Sequence, residues 1–587
     1  MGDLSRLTRN AIIGLGLGQG VLLLLAHVLI ERNVLAAPAD MTWLLPWYAV
    51  AIAVPTALQL IATDVRDRRL WRAGLGLAAV LVFTGAHVGY AVEPAATISS
   101  SPVVVPYVLT TFIGWFVLLP FVQTWLKTGR LRPPYPELFE FAWNNTITLI
   151  IAEVFTGIFW ALLALWAALF KVIGVTLFDA LFYDKYFSYP VTATVFAFAL
   201  YLGRSNLSAV VTVRRIILAI FKGLLPLLAV LIVLFLAVLP FMGLKPLWDT
   251  GSATALMLTL QIFLVIFLNA VYQDGRGEAP YPVWLRLAVR VAVIVLPVYT
   301  LLCLYALHLR IGQHGWSTDR FWAVLLAVVV GLYAFGYAVA ALRRSTVWMA
   351  GMAPVNVAIA AVTVALAVLV NSPLLDARRI SVASQIDRLL AGKLTAEKFD
   401  YDYLRFELGR AGNAALEGLK ALTDHPQAAE IRTAATRVLS RTNRWTAQAD
   451  RIETTEQAAA HFAVYPKGER LDGEFLRHAM CEPCDWRLKR CLEVGRHCAA
   501  LVVDLNRDAR KEYVLFHVNA PYDRFAAVFS RAGKEWEYAG ELSQPLPAEW
   551  DSLAHIEEML ATGDYAVVDS AWRDLRIGAH IRPFRPE

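Results

Sequence analysis

Residues 216–241 read IILAIFKGLLPLLAVLIVLFLAVLPF, and Lys222 is the only charged side chain among them. A helix of about 20 apolar residues is long enough to cross the hydrocarbon core of a bilayer. A run of this length and composition predicts a membrane-spanning helix rather than a helix in the core of a soluble domain.

Similar apolar windows recur through the first two thirds of the chain. Ten further candidate spans lie near residues 11–30, 43–62, 70–92, 103–125, 146–170, 190–203, 253–272, 291–309, 321–342 and 347–370. We therefore expect an α-helical polytopic membrane bundle of about 11 spans, whose two ends lie on opposite sides of the membrane.

Charged residues are unevenly distributed along the chain. The 587 residues are 58% hydrophobic and only 17% charged, whereas a soluble chain carries about 25% charge. More than half of the charged residues follow Asn371. This distribution excludes an ordinary soluble enzyme and predicts a transmembrane helical domain at 1–372, a helical segment at 373–445 and a Cys-containing mixed α/β region at 446–587.

The region after Asn371 has the periodicities of a soluble α+β domain. Leu404, Leu408, Ala411 and Ala415 are spaced by three or four residues, as on one face of a packed helix. Four later stretches have the composition of antiparallel strands. They are residues 499–505, 512–518, 525–531 and 536–539.

Lys and Arg residues in the short loops predict the orientation. About 17 of them fall on the side of the N-terminus and about 6 on the opposite side. Positive loops stay on the cytoplasmic side of a membrane. We therefore expect a membrane protein whose N-terminus is cytoplasmic and whose region after residue 372 is extracytoplasmic, which in a diderm bacterium means an inner (plasma) membrane protein with a periplasmic C-terminal domain.

Glu153 is a carboxylate inside a predicted span, about two turns from its cytoplasmic end. An ionisable side chain at membrane depth costs several kcal/mol unless it is paired, so Glu153 is a candidate site for a proton, a cation or a partner helix. The simpler interpretation is a carboxylate that reaches water at the interface.

A second group of candidates is predicted at the outer face. Residues 177–187 mix aromatic and charged side chains at helical spacing, which suits an interfacial helix. An aromatic belt explains this pattern most simply. The alternative is a lid or re-entrant segment in which Asp179, Asp184 and Lys185 line a polar entry. For a membrane enzyme, the candidates at the outer face are these three residues together with Arg310 and Arg320.

Four of the five cysteines lie close together in the tail, at Cys481, Cys484, Cys491 and Cys498. In an oxidising compartment they are expected to form two disulfides, with the connectivity left open. With His478 and His497 beside them, the same cysteines suit zinc in a reducing compartment, and the Cys481-x2-Cys484 pair also suits redox exchange.

One tail motif has the spacing of a calcium loop. Its candidate ligands are Asp504, Asn506, Asp508 and Glu512. Alternating side chains of this kind turn hard oxygens onto one ion. Ala509 replaces the usual glycine at position six, and nearby basic residues dilute the charge, so a polar hairpin turn is the alternative. No resident cofactor is predicted, and calcium in the C-terminal region stays the alternative.

Several stretches resemble a bacterial membrane family known as domain of unknown function 4153. They are residues 133–139 (PPYPELF), 244–248 (LKPLW), 315–318 (GWST) and 399–406 (FDYDYLRF). The resemblance covers about residues 112–422 and implies a multi-span inner-membrane protein. The family has no assigned activity, so the resemblance implies no catalytic residue.

The functional prediction is a non-enzymatic transport or envelope-assembly protein. No H-E-x-x-H, G-x-S-x-G, P-loop or S-x-x-K motif is present. The alternative is an integral-membrane enzyme acting on lipid-linked envelope substrates, since such enzymes need no local motif. The expected partners are the lipid bilayer and an envelope protein or lipid-linked molecule, and no nucleic acid.

Overall fold

The structure is a computed structural model. It describes residues 5–36, 39–92, 101–130, 133–243, 253–275, 281–343, 348–441, 454–480, 485–492, 497–520, 523–532, 535–542, 552–567, 575–577 and 580–582. The chain divides into two compact units, Met1–Asn443 and Arg444–Glu587.

Among the described residues of the first unit, twelve helices precede residue 370. They are α1 (Arg6–Glu31), α2 (Met41–Ile61), α3 (Arg68–Ala91), α4 (Ser101–Thr128), α5 (Tyr135–Val172), α6 (Leu177–Tyr183), α7 (Lys185–Ser205), α8 (Leu207–Met242), α9 (Ala253–Tyr272), α10 (Val283–His314), α11 (Thr318–Leu342) and α12 (Met352–Leu369). All except α6 are long and apolar enough to cross a membrane, which confirms the predicted polytopic bundle.

Glycines let the first helix pack closely against α7. A Cβ atom at Gly16 would lie 2.7 Å from the Ala193 carbonyl oxygen, and one at Gly20 would lie 2.6 Å from Pro190 Cα. In lipid, helices associate through van der Waals packing rather than through the hydrophobic effect, and small residues allow their backbones to approach closely.

Four further helices form a small cluster at one end of the bundle. They are α13 (Ala377–Leu390), α14 (Tyr401–Glu407), α15 (Gly409–Lys420) and α16 (Ala428–Leu439). We name this cluster the helical cap. Its core contains Leu389, Leu404, Leu416 and Ile431, all fully buried. The end of the bundle that it covers is named the cap side, and the opposite end, where α1 and α5 begin, is named the basic side.

The helical cap contacts the turn between α10 and α11 through hydrogen bonds. The Thr318 N–H donates to the Tyr403 hydroxyl oxygen over 2.8 Å. The Gln385 amide donates to the Trp316 carbonyl over 2.8 Å. Two of the stretches that carry the family resemblance, GWST and FDYDYLRF, therefore meet at this contact.

A second contact joins the helical cap to the end of α3. Gly409 has φ +57, and a Cβ there would clash with the Ala91 carbonyl oxygen. Arg410 donates to the Val92 carbonyl over 3.1 Å, and its guanidinium lies 4.5 Å from the centre of the Tyr90 ring. Because glycine lets the backbone approach and arginine satisfies a terminal carbonyl, the cap packs directly on this helix end.

Two polar residues lie where the last span joins the cap. Asn371 donates to Thr110 Oγ1 of α4 over 2.8 Å. The Asp376 carboxylate accepts a 2.9 Å hydrogen bond from Arg378 and lies 3.3 Å from His87 Nε2. Burial alone would raise the pKa of Asp376, but the hydrogen bonds from His87 and Arg378 outweigh it and hold that pKa well below its ordinary value.

The second unit is built on a five-stranded sheet. Its strands are β1 (Phe462–Tyr465), β2 (Cys498–Val503), β3 (Glu512–Ala520), β4 (Asp523–Ala532) and β5 (Glu535–Glu541), in that spatial order. β1 pairs with β2 in parallel and the other pairs are antiparallel. The described helices are α17 (Thr455–Ala459), α18 (Gly473–Ala479), α19 (Trp486–Cys491) and α20 (Leu553–Thr562), and β6 (Leu575–Ile577) pairs with β7 (His580–Arg582).

Successive side chains along each strand point to opposite faces of the sheet, and apolar residues form a packed layer on both faces. Tyr513 and Phe529 pack with Phe475 of α18 on one face. Val514 packs with Ile556 of α20 on the other. The predicted α+β class of the C-terminal region is confirmed, and the four predicted strands correspond to β2 to β5.

Candidate functional site

A crevice of about 680 Å³ lies among α1, α2, α4, α5 and α7. Its walls are mainly aliphatic and aromatic, with Phe112, Trp115 and Phe196 among them. Hydroxyl groups are scattered over the same walls. Glu153 is the one charged side chain among the described residues that line it.

A pair of buried amides lies on the basic side of the crevice. Asn145 Nδ2 donates to Gln123 Oε1 over 2.8 Å, and Gln123 Nε2 donates to Asn145 Oδ1 over 3.1 Å. This reciprocal pair holds α4 against α5. Glu153 lies eight residues further along α5, about 12 Å from Asn145 at the rise of an α-helix. The crevice therefore lies on the cap side of the amide pair.

Contacts between α5 and α7 give the depth of Glu153. Gly203 packs on Thr148, and Trp160 Nε1 donates to Thr192 Oγ1 over 3.0 Å. This antiparallel register places Glu153 level with about Phe198, which is about 10 Å from the basic end of α7. The sequence placed Glu153 at a similar depth.

Two threonine hydroxyls on the crevice wall are already bonded to the backbone. Thr156 donates to the Ala152 carbonyl over 2.8 Å, and Thr192 donates to the Ser188 carbonyl over 2.6 Å. Among the described residues, the Glu153 carboxylate has no hydrogen-bond or ion-pair partner. The site thus combines an apolar cavity with one unpaired acidic group.

Three of the predicted outer-face residues are bonded locally. Lys171 forms a 3.1 Å ion pair with Asp179, and Lys185 pairs with Glu31 at the end of α1. Asp184 accepts the N–H of residue 186 and caps the N-terminus of α7. These side chains connect α1, α5, α6 and α7 at the cap side rather than lining the crevice.

The other two predicted residues belong to α10 and α11. Arg320 donates to the carbonyls of His314 and Gly315, over 3.4 Å and 2.8 Å, and so satisfies the C-terminus of α10. Arg310 is exposed on α10. The six predicted polar residues therefore fall in three places, and Glu153 alone lines the crevice.

The described cysteines of the tail form a disulfide between Cys491 and Cys498. It joins the end of α19 to the start of β2, and both residues are fully buried. His497 Nε2 lies 3.0 Å from the Glu557 carboxylate. Cys481 and Cys484 lie outside the described residues, so the second predicted disulfide stays a prediction. No group of three or more metal ligands is present among the described residues.

The predicted calcium loop connects β2 to β3. Side-chain oxygens of all four candidate residues accept hydrogen bonds from backbone N–H groups of the same turn. The four are Asp504, Asn506, Asp508 and Glu512. Ala509, at the position where calcium loops have glycine, has φ +66. These bonds organise a polar turn, and calcium binding stays a prediction.

Sequence reasoning missed uncharged polar residues within the spans. Gln19 Nε2 donates to Thr56 Oγ1 over 3.3 Å on the crevice wall, and Gln59 Nε2 donates to Gln19 Oε1 over 3.4 Å. Single amides in otherwise apolar runs are the sequence signal for such residues, and a search for ionisable side chains does not detect them.

A second buried polar cluster lies at the basic side. Asn356 Nδ2 donates to Asn269 Oδ1 over 2.7 Å and to the Tyr135 hydroxyl over 3.0 Å, and Tyr337 donates to Asn356 Oδ1. Tyr135 belongs to the PPYPELF stretch. This cluster joins α5, α9, α11 and α12, which gives that stretch a packing role.

These features define a multi-pass membrane protein with a crevice among its first seven helices. The sequence profile of the family described as domain of unknown function 4153 matches residues 21–419, about two thirds of the chain, and the chain belongs to this family. The resemblance found in the sequence is confirmed, and the match begins earlier than expected, within α1. Comparison with curated proteins and with solved structures gave no match.

Proposed function

We propose that the protein is a non-enzymatic transport protein of the bacterial inner membrane, which binds an amphipathic envelope molecule in the crevice. The observation that carries this proposal is the crevice itself. A volume of about 680 Å³ falls within the range of small-molecule sites, and its walls are mostly apolar. Each methylene group buried there contributes about 0.8 kcal/mol, so the crevice favours a molecule with an apolar chain.

The position of the Gln123–Asn145 pair supports transport over simple storage. The pair joins α4 to α5 on the basic side of the crevice, while the walls extend towards the cap side. A carrier must open to one side at a time, and we propose that this pair keeps the basic side closed.

The proposed orientation puts the cap side and the second unit in the periplasm. The Lys and Arg bias of the loops supports it, and so does the Cys491–Cys498 disulfide, because disulfides persist in oxidising compartments. The test is labelling of intact spheroplasts with a membrane-impermeant maleimide. Labelling of Cys491 and Cys498 only after reduction supports the orientation, whereas labelling that requires lysis contradicts it.

Ligand binding is tested with the full chain in lipid nanodiscs and a photoactivatable lipid that carries a diazirine on its acyl chain. Cross-links mapped by mass spectrometry are expected on the α4 and α5 walls of the crevice. Ala49→Phe places a ring inside the crevice and should reduce these cross-links. The control is Ala219→Phe, the same substitution on the exposed surface of α8, which should leave them unchanged.

Two outcomes would refute the proposal of a bound amphiphile. One is a cross-link pattern restricted to the outer surface of the bundle, and the other is an identical crevice pattern in both variants. Chemical conversion of an added lipid-linked substrate by the purified chain would instead support the alternative, an integral-membrane enzyme. Four of the residues proposed for that alternative have structural partners: Asp179, Asp184, Lys185 and Arg320.

A further inference from the structure

The carboxylate of Glu153 has no counter-charge on the crevice wall. No Lys, Arg or His is among the described lining residues. Three cations on the neighbouring helices are engaged elsewhere: Lys171 with Asp179, Lys185 with Glu31, and Arg204 with the last carbonyls of α2. On α1, His27 Nδ1 lies 3.3 Å from the Tyr189 hydroxyl.

The Glu153 side chain is exposed at the crevice, which lies among membrane-spanning helices. At membrane depth a charge costs several kcal/mol unless it is paired or reaches water. The Thr156 hydroxyl, one turn further along α5, donates to a backbone carbonyl, so it does not compensate the charge. A partner that brings a positive charge into the crevice would remove this cost, because an opposite charge within about 4–6 Å favours the ionised carboxylate.

We infer that the molecule bound in the crevice is a cationic amphiphile, with an amine or ammonium head group that pairs with Glu153 and an apolar chain that packs on the walls. This inference rests on the proposed function and names its substrate class. Phe112, Trp115 and Phe196 support it, because aromatic faces attract cations as well as apolar chains. An anionic head group would meet a like charge at the same place.

The experiment uses three photoactivatable probes with the same apolar chain and different head groups: an ammonium, an alcohol and a carboxylate. Each is titrated against the full chain in nanodiscs made of zwitterionic lipid, and the apparent affinity is read from the crevice cross-links. The wild type should bind the ammonium probe at least about tenfold more tightly than the carboxylate probe.

Glu153→Gln keeps the shape of the side chain and removes its charge. It should weaken binding of the ammonium probe at least about tenfold and leave the alcohol probe unchanged. Glu153→Asp keeps the charge and should retain the preference for the ammonium probe. The matched control is Glu140→Gln, a carboxylate on the same helix that is exposed outside the crevice, which should not change the affinity of any probe.

The outcomes separate this inference from the proposed function. Crevice labelling that is equal for all three probes, or strongest with the alcohol or carboxylate probe, overturns the cationic class and leaves an amphiphile site. An unchanged ammonium affinity in Glu153→Gln also overturns it. Absence of crevice labelling by every probe refutes the proposed function itself.

Discussion

The Gln123–Asn145 pair should be measurable as a coupling energy between two buried amides. Asn145→Leu removes both hydrogen bonds and leaves the Gln123 amide in an apolar setting, apart from a 3.3 Å bond to the Leu60 carbonyl. A lost hydrogen bond between membrane helices costs about 0.6–1.7 kcal/mol, and an unsatisfied buried amide costs about 1–3 kcal/mol. We expect each single leucine variant to lose about 2–3 kcal/mol of unfolding free energy.

The double variant should lose less than the sum of the singles, because it leaves no unsatisfied amide. We expect a coupling energy of about 1–2 kcal/mol from a double-mutant cycle. The assay is reversible unfolding of the full chain in mixed micelles of lipid and denaturing detergent. The control cycle pairs Gln123→Leu with Gln261→Leu in a different helix group, which should be additive within about 0.5 kcal/mol. Additive Gln123 and Asn145 variants would refute the reasoning.

Three further predictions concern the periphery of the bundle and the second unit. The lowered pKa of Asp376 stabilises the fold above about pH 4, and this stabilisation is lost as the pH falls further. Asp376→Asn should therefore make the melting temperature less dependent on pH in the acid range. An unchanged curve of melting temperature against pH would contradict the role of that carboxylate. Arg320→Met should cost about 1–2 kcal/mol of unfolding free energy, because it leaves the terminal carbonyls of α10 without their donor, and an unaltered thermal transition would argue against it. Cys491→Ser opens a disulfide with a sequence separation of 7 and should cost the second unit about 2–3 kcal/mol; hydrogen–deuterium exchange in β2 of the full chain should rise, and retained protection would be inconsistent with the disulfide.

The spans could be predicted from the sequence because each helix in a bilayer must be stable in lipid by its own length and composition. A run such as residues 216–241 must satisfy its own backbone groups in lipid, so its length and composition are sufficient to identify it. The strands of the second unit were predicted for a similar reason, since alternation along a strand is local. β1 was missed because it is short and its parallel partner β2 is distant in sequence.

The crevice could not be predicted because it depends on packing among five helices. Glu153 was identified by its charge alone, whereas Gln19 and Thr56 belong to the same cavity without an ionisable group. The sequence placed the outer-face residues together only because the predicted topology gives them the same depth in the membrane. Side chains with the same predicted depth have different partners when their helices lie apart, as Lys185 with Glu31 and Arg320 with the end of α10.

The hydrogen bond between Asn371 and Thr110 has a mechanical consequence. Thr110 is adjacent to Thr111 on the crevice wall, and Asn371 is part of the short connection from α12 to the helical cap. If α4 tilts when the crevice changes width, this hydrogen bond transmits the tilt to the helical cap, which lies beyond the membrane-spanning helices. A pair of fluorophores, one on the cap and one at the cap-side end of α8, would then report a change in the width of the crevice as a change in energy transfer.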